Sequence, residues 1–156
     1  MKKLSHYDRS GRARMVDVSE KIDTKRTATA RAFVRIRPTV LKKLSQNPKG
    51  DPLEVARFAG IAAAKRTSEL FPMCHPLMLT HVDVTANVQA RGVAITAKAA
   101  TTGPTGVEME ALTAAAVAAL TVYDMTKALD KGIEIQDLCL VEKTGGKSGD
   151  FRRPGS

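Results

Sequence analysis

Alternation of apolar and polar positions marks the first regular element of the chain. In "ATARAFVRI", Ala28, Ala30, Ala32, Val34 and Ile36 fall on one side while Thr29, Arg31 and Arg35 fall on the other, which is the period of a strand with one buried face. Pro38 opens a short helix through Leu44, and "SQNPKGD" breaks it. Asp51 as N-cap, Pro52 at the first helical position and Glu54 three residues after the cap predict a helix from about 52 to 69, closed by Pro72. Ala56, Ala59, Gly60 and Ala63 give it a small-residue stripe suited to close packing. Two further alternating runs, Val82 to Val88 and Val93 to Ala99, flank a turn at Arg91 and Gly92 and read as a hairpin. A long alanine-rich helix follows from about Val107 to Asp130, with Gly132 as its terminating glycine. The last strand, "IEIQDLCLVE", slips phase between Ile135 and Leu138, which predicts a bulge.

Strand, helices, strand, strand, helix, strand is the order of an α+β, ferredoxin-like split βαβ fold, a four-stranded antiparallel sheet with helices on one face. Residues 1–26 lack sustained periodicity and read as a basic arm, 27–142 as the single folded domain, and 143–156 as a glycine-rich basic tail. The 156 residues fit one domain, and with no Trp the core must be built from Ala, Val, Ile, Leu and Met.

Charge changes this picture. The net charge is +9, and residues 1–50 hold 14 Lys and Arg against 4 Asp and Glu, whereas residues 51–156 hold 11 against 12. A field confined to the first third suits a polyanionic partner, either nucleic acid or a phosphorylated metabolite, or merely aids solubility. A nucleic-acid-binding module is the rival from another class, but with four Phe and two Tyr, none paired on a strand, the sheet offers little base stacking. Cys74 and Cys139 suit a reducing compartment, and no stretch has the length and apolarity of a membrane span, so a soluble cytoplasmic protein is expected.

Several residues carry candidate chemistry, each with a plainer alternative. Asp124 and Lys127 in "YDMTK" lie three apart on one helix face, which by itself describes a solvated ion pair. Glu108 and Glu110 open the same helix, where the dipole favours carboxylates, and Glu110 shares a helix side with Asp124. His75 sits between Pro72 and Pro76 in a stiff loop and is either a ligand-facing donor or an idle loop histidine. Lys65 follows three alanines, where it either snorkels or has a lowered pKa. "GGKSG" resembles the end of a phosphate-binding loop, yet Val141 occupies the first glycine position and no helix follows. Cys74, His75 and His81 lack zinc spacing, so no metal site is expected.

Together, "MVDVS", "AGIAAAKRT", "CHPLMLT", "TGVEMEALTAA", "VYDMTKA" and "GGKSGDF" resemble the MoaC family, the cyclic pyranopterin monophosphate synthases of molybdenum-cofactor biosynthesis, over residues 5 to 151. The resemblance implies a lyase that rearranges 3',8-cyclo-7,8-dihydro-GTP and releases pyrophosphate, with no tightly bound cofactor and with room for Mg2+ accompanying the triphosphate. It also implies a cytoplasmic homohexamer, a trimer of dimers with active sites at subunit boundaries. By matching motifs, Asp124, Lys127 and Lys65 fall on the proton-transfer positions. Met73, Cys74, His75, Glu108, Met109 and Glu110 fall on substrate-contacting segments. Arg26, Lys49, Lys143 and Lys147 would grip phosphate. A catalytically dead homologue acting as a scaffold is disfavoured by retention of Asp124, Lys127, Lys65 and His75.

Overall fold

The computed structural model describes residues 6–8 and 10–155. Five strands form one antiparallel sheet: β1 (Thr24–Arg35), β2 (Leu79–Gln89), β3 (Gly92–Gly103), β4 (Glu134–Thr144) and β5 (Phe151–Arg152). The helices are α1 (Pro38–Leu41), α2 (Pro52–Ala64), α3 (Thr67–Leu70) and α4 (Glu108–Thr126). Strand order is β2-β3-β1-β4-β5, so the central strand is the first in sequence and the crossovers carry α2 and α4. The first four strands and two long helices make the expected split βαβ arrangement. The expected count of four becomes five because the glycine-rich tail turns back and pairs Phe151 and Arg152 with Lys143 and Glu142. Gly145 and Gly146, at φ of 85° and 86°, make that turn in a region L side chains rarely enter.

Other boundaries also shift. β1 begins at Thr24, so the expected division between arm and domain at residue 26 falls inside a strand. The helix expected from 52 to 69 is two helices. It stops at Ala64 because the buried Thr67 hydroxyl donates to the Ala64 carbonyl at 2.9 Å, while Arg66 N–H bonds to Ala63 in a tightened last turn. Asp51 caps α2 by accepting from Leu53 N–H at 2.9 Å, but Glu54 pairs with Arg57 instead of completing a capping box. α4 ends at Thr126, whose hydroxyl bonds back to Val122, and Gly132 sits beyond it in a separate turn held by Asp130.

The bulge expected in the last strand is present, and a second accompanies it. Between the pairs Arg31–Cys139 and Phe33–Gln136, Asp137 and Leu138 oppose Ala32 alone, with Asp137 at φ 54°. Val141 is the extra residue between Thr29–Glu142 and Ala30–Leu140.

The core lies between the sheet and the α2–α4 layer and is made of small residues. Ala28, Ala30, Ala32 and Val34 of β1 face Ala111, Ala114, Ala115 and Ala118 of α4, all nearly fully buried. Such side chains stabilise only by approaching closely, because each buries little area. The tightest approach is at Gly60, where a Cβ would lie 2.9 Å from the Ala114 carbonyl oxygen, 3.1 Å from Val84 Cγ2 and 3.3 Å from Ala118 Cβ. Gly60→Ala should therefore lose about 1–3 kcal/mol to overpacking, although alanine in a helix normally gains about 1 kcal/mol over glycine. Urea denaturation measures this, and an unchanged or raised midpoint would mean that α2 and α4 are not pressed together there.

Candidate functional site

α2 and α4 run antiparallel. Asn47, just before α2, donates to the Met125 carbonyl at the end of α4 at 2.7 Å, and Gly60 lies against Ala114 and Ala118 further back. One end of the helical layer thus gathers the end of α2, the 71–78 loop and the start of α4. The other end gathers the loop before α2 and the end of α4.

At the first end a cavity of about 440 Å³ opens, within the range of small-molecule sites. Met73, Cys74 and His75 reach it from the proline-flanked loop, and Glu108, Met109 and Glu110 from the first turn of α4. All six residues expected to contact substrate therefore share one space. The arm closes another side through His6, Val16, Val18 and Lys21. His75 fastens the arm: its Nε2–H donates to the Val16 carbonyl at 2.8 Å, which sets the tautomer.

Burial shapes the cavity's electrostatics. Glu110 is 4% exposed. Desolvation, helped by the nearby charge of Glu108, pushes its carboxyl up to about 7. Burial, with the Glu110 charge adding to it, raises the Cys74 thiol, so that sulfur is a poor nucleophile. Lys143 lies 3.3 Å from Glu108 and donates to Ser148 Oγ at 2.6 Å, which ties the tail turn to the start of α4.

A second cavity of about 370 Å³ is lined by Arg26, Lys147 and Gly146 together with Lys21, the residue it shares with the first. Arg26 is fixed by bonds to the carbonyls of Gly103 (2.9 Å) and Pro104 (3.1 Å). Gly146 lets the tail pass over the guanidinium, since a Cβ there would run into Arg26 Nη1. Arg26, Lys147 and Lys21, against the one carboxylate Glu20, form a net cationic annex beside the larger space, suited to phosphate.

Asp124, Lys127 and Lys49 lie at the other end. The ion pair Lys127 Nζ–Asp124 Oδ1 measures 2.6 Å and is exposed. Lys127's hydrogen bond and charge, together with Lys49, hold the Asp124 carboxyl below its usual range, and Asp124 holds the Lys127 ammonium above its own. The loop before α2 delivers Lys49 because Asn47 Oδ1 accepts from Lys49 N–H while its amide grips α4. At 1.5 Å per residue, Glu110 and Asp124 are separated by about 21 Å along the helix. Within one chain, the expected proton-transfer pair and the expected substrate contacts are not one site. Lys65, exposed at the end of α2, lines neither cavity. Sequence reasoning missed His6 and Lys21, whose only signal was membership of a basic arm, and Ser148, which lies beside Lys147 in the glycine-rich basic tail.

Among the described residues, no group of three or more His, Cys, Asp or Glu is placed to hold a metal, and no helix is long and apolar enough to cross a membrane. A ferredoxin-like fold with a half-enclosed cavity that joins a buried carboxyl to imidazole and ammonium groups, beside a cationic annex, is the make-up of an enzyme for a small phosphorylated molecule. The MoaC family model matches residues 15–146, and the chain belongs to that family. A cyclic pyranopterin monophosphate synthase of Roseiflexus sp. (strain RS-1) is 57% identical over 155 residues, covering 97% of this chain and 98% of the relative. One of Thermomicrobium roseum is 56% identical over 157 residues, covering 98% and 95%.

The raised carboxyl gives a stability prediction. Because Glu110 titrates near 7 in the fold and near 4.5 unfolded, its neutral form is favoured by folding. The native protein should lose stability relative to Glu110→Gln as pH climbs from 4.5 to 7 and hold a constant deficit above that, at most roughly 3 kcal/mol. Denaturant midpoints of both proteins across this window measure it. A difference that does not grow with pH would show Glu110 to be solvated.

Proposed function

We propose that the chain is a cyclic pyranopterin monophosphate synthase, converting 3',8-cyclo-7,8-dihydro-GTP to cyclic pyranopterin monophosphate with release of pyrophosphate. The observation that carries this reading is the meeting of Met73, Cys74, His75, Met109 and Glu110 in one cavity, beside the basic annex of Arg26 and Lys147. The ring system derived from guanine fits the larger space, where Glu110 and His75 offer hydrogen bonds. The triphosphate fits the annex, where fixed cations stabilise charge on the departing pyrophosphate. Glu110, near 7, is the group whose proton affinity already matches transfer at neutral pH. Lys21 of the arm and Arg26 of the first strand line these cavities, which favours a metabolite over nucleic acid. The reading assigns no tightly bound cofactor, treats any Mg2+ as cargo of the triphosphate, and places the enzyme in the cytoplasm.

Asp124, Lys127 and Lys49 enter the reaction from another subunit. A homohexamer built as a trimer of dimers supplies the contact, laying the end of one α4 against the cavity of a neighbour, with Lys65 at the rim. Desolvation in such an interface opposes the exposed pair's present settings, raising Asp124 and lowering Lys127 towards neutrality. Buried amines and acids this close titrate as a group.

Pyrophosphate release from the cyclic nucleotide tests the activity, and its absence in the purified oligomer would end the reading. Shared sites give a sharper expectation. Glu110→Ala and Lys127→Ala should each lower turnover by about 10²-fold or more. Allowed to exchange subunits in equal amounts, the two inactive proteins should regain about a quarter of normal activity, since random pairing reunites intact halves that often. No recovery, with exchange verified by mass, would place the site within one chain.

A further inference from the structure

The arm brings one group to the cavity that none of the readings above uses. His6 lines the larger space, and its Nδ1 is buried with no hydrogen-bond partner among the described residues. A buried polar atom without a partner is uncommon in a folded protein, and on a residue that walls a cavity a ligand can supply the partner once the ring turns to present it. The ring is not left there by a slack segment. His6 accepts from Arg14 N–H at 2.8 Å through its own carbonyl, and Tyr7 bridges Ala13. Asp8 closes the intervening turn, accepting from Ser10 N–H, Ser10 Oγ and Arg12 N–H at 2.8, 2.7 and 2.9 Å. The small hairpin is tied down further along, where Val16 receives the His75 bond. Its fixed end therefore keeps His6 at the wall of the same space as Glu110 and His75.

We propose that His6 is a further substrate-contacting residue, whose ring turns as the ligand fills the cavity so that Nδ1 exchanges a hydrogen bond with a polar edge of the purine-derived ring. The inference rests on the proposed reaction for the ligand's identity and on the orphaned nitrogen for the contact. Nδ1 donates or accepts according to tautomer, so it can meet either a ring carbonyl or a ring N–H. With Glu110 and His75 on other walls, the ring would be gripped at separated points, fixing its orientation relative to the phosphate annex.

The test separates position from mere presence. Asparagine places a polar atom near Nδ1, whereas glutamine places one near Nε2. His6→Ala should raise KM for 3',8-cyclo-7,8-dihydro-GTP about 3- to 10-fold, as loss of one neutral hydrogen bond would. Its melting temperature and its rate of tryptic cleavage at Arg12 and Arg14 should stay at native values. His6→Asn should return KM to within about twofold of native, while His6→Gln should not. Native KM in His6→Ala, equal rescue by asparagine and glutamine, or faster cleavage of the unliganded arm in His6→Ala would each overturn the assignment, the last by showing that the ring only braces the hairpin. A native protein without pyrophosphate release would instead refute the reaction, a separate result from any of these.

Discussion

The close approach of α2 to α4 at Gly60 is the constraint on which the rest of the structure depends. Alanine and glycine leave the helices little side-chain volume to separate them, so their spacing is set by backbone against side chain, as the 2.9 Å from a Gly60 Cβ to the Ala114 oxygen shows. That contact fixes the axis of α4 against β1 and β3, and a nineteen-residue rod so held can point its two ends in only one way. Glu108, Met109 and Glu110 are placed by the front of the rod, and Asp124 and Lys127 by its rear. A core of larger side chains would be easier to deform and would position both ends less sharply.

The two ends differ in electrostatics for a structural reason. At the front, the proline-stiffened loop and the arm cover the first turn, so Glu110 loses water and its carboxyl shifts to about 7. Lys143 neighbours Glu108, not Glu110, leaving the buried carboxyl without the cation that would pull it down again. At the rear the loop before α2 packs on Met125 but leaves the outer face of the last turn open, and Asp124 and Lys127 settle there into an exposed pair that steadies each one's charge. Two carboxyls on one helix are thus tuned oppositely, one by burial without a cation and the other by an exposed ammonium partner.

Much of this was legible in the sequence because it depends on local periodicity. The alternation of Ala28 to Ile36, the Arg91–Gly92 turn and the phase slip before Leu138 each correspond to a feature of the sheet. What escaped depends on contacts between distant positions. The break after Ala64 comes from one hydroxyl, that of Thr67, and no propensity reveals where it will bond. The fifth strand requires two left-handed glycines to bring Phe151 back to Lys143, and a run of glycine reads equally well as a loose tail. Of the candidate residues, the six around the cavity are brought together by two segments whose rigidity was visible, the proline loop and the start of α4. The arm's contribution was not visible, because His6, Val16 and Lys21 act through the positions of their neighbours and not through any repeat.

The separation of the two charged groups also bears on how such a site can arise. A helix cannot bend its ends together without breaking the backbone bonds that make it straight, so no rearrangement of one chain within this fold lets Lys127 meet Glu110. Lengthening a loop to carry the amine across about 21 Å would add a mobile segment and its ordering entropy. Using a second copy needs no new chain, since every subunit has both a front and a rear, and symmetry repeats one successful contact at every site. The exposed pair at the end of α4 would then be the half of a site that stays solvated, and chemically idle, until another copy's cavity covers it.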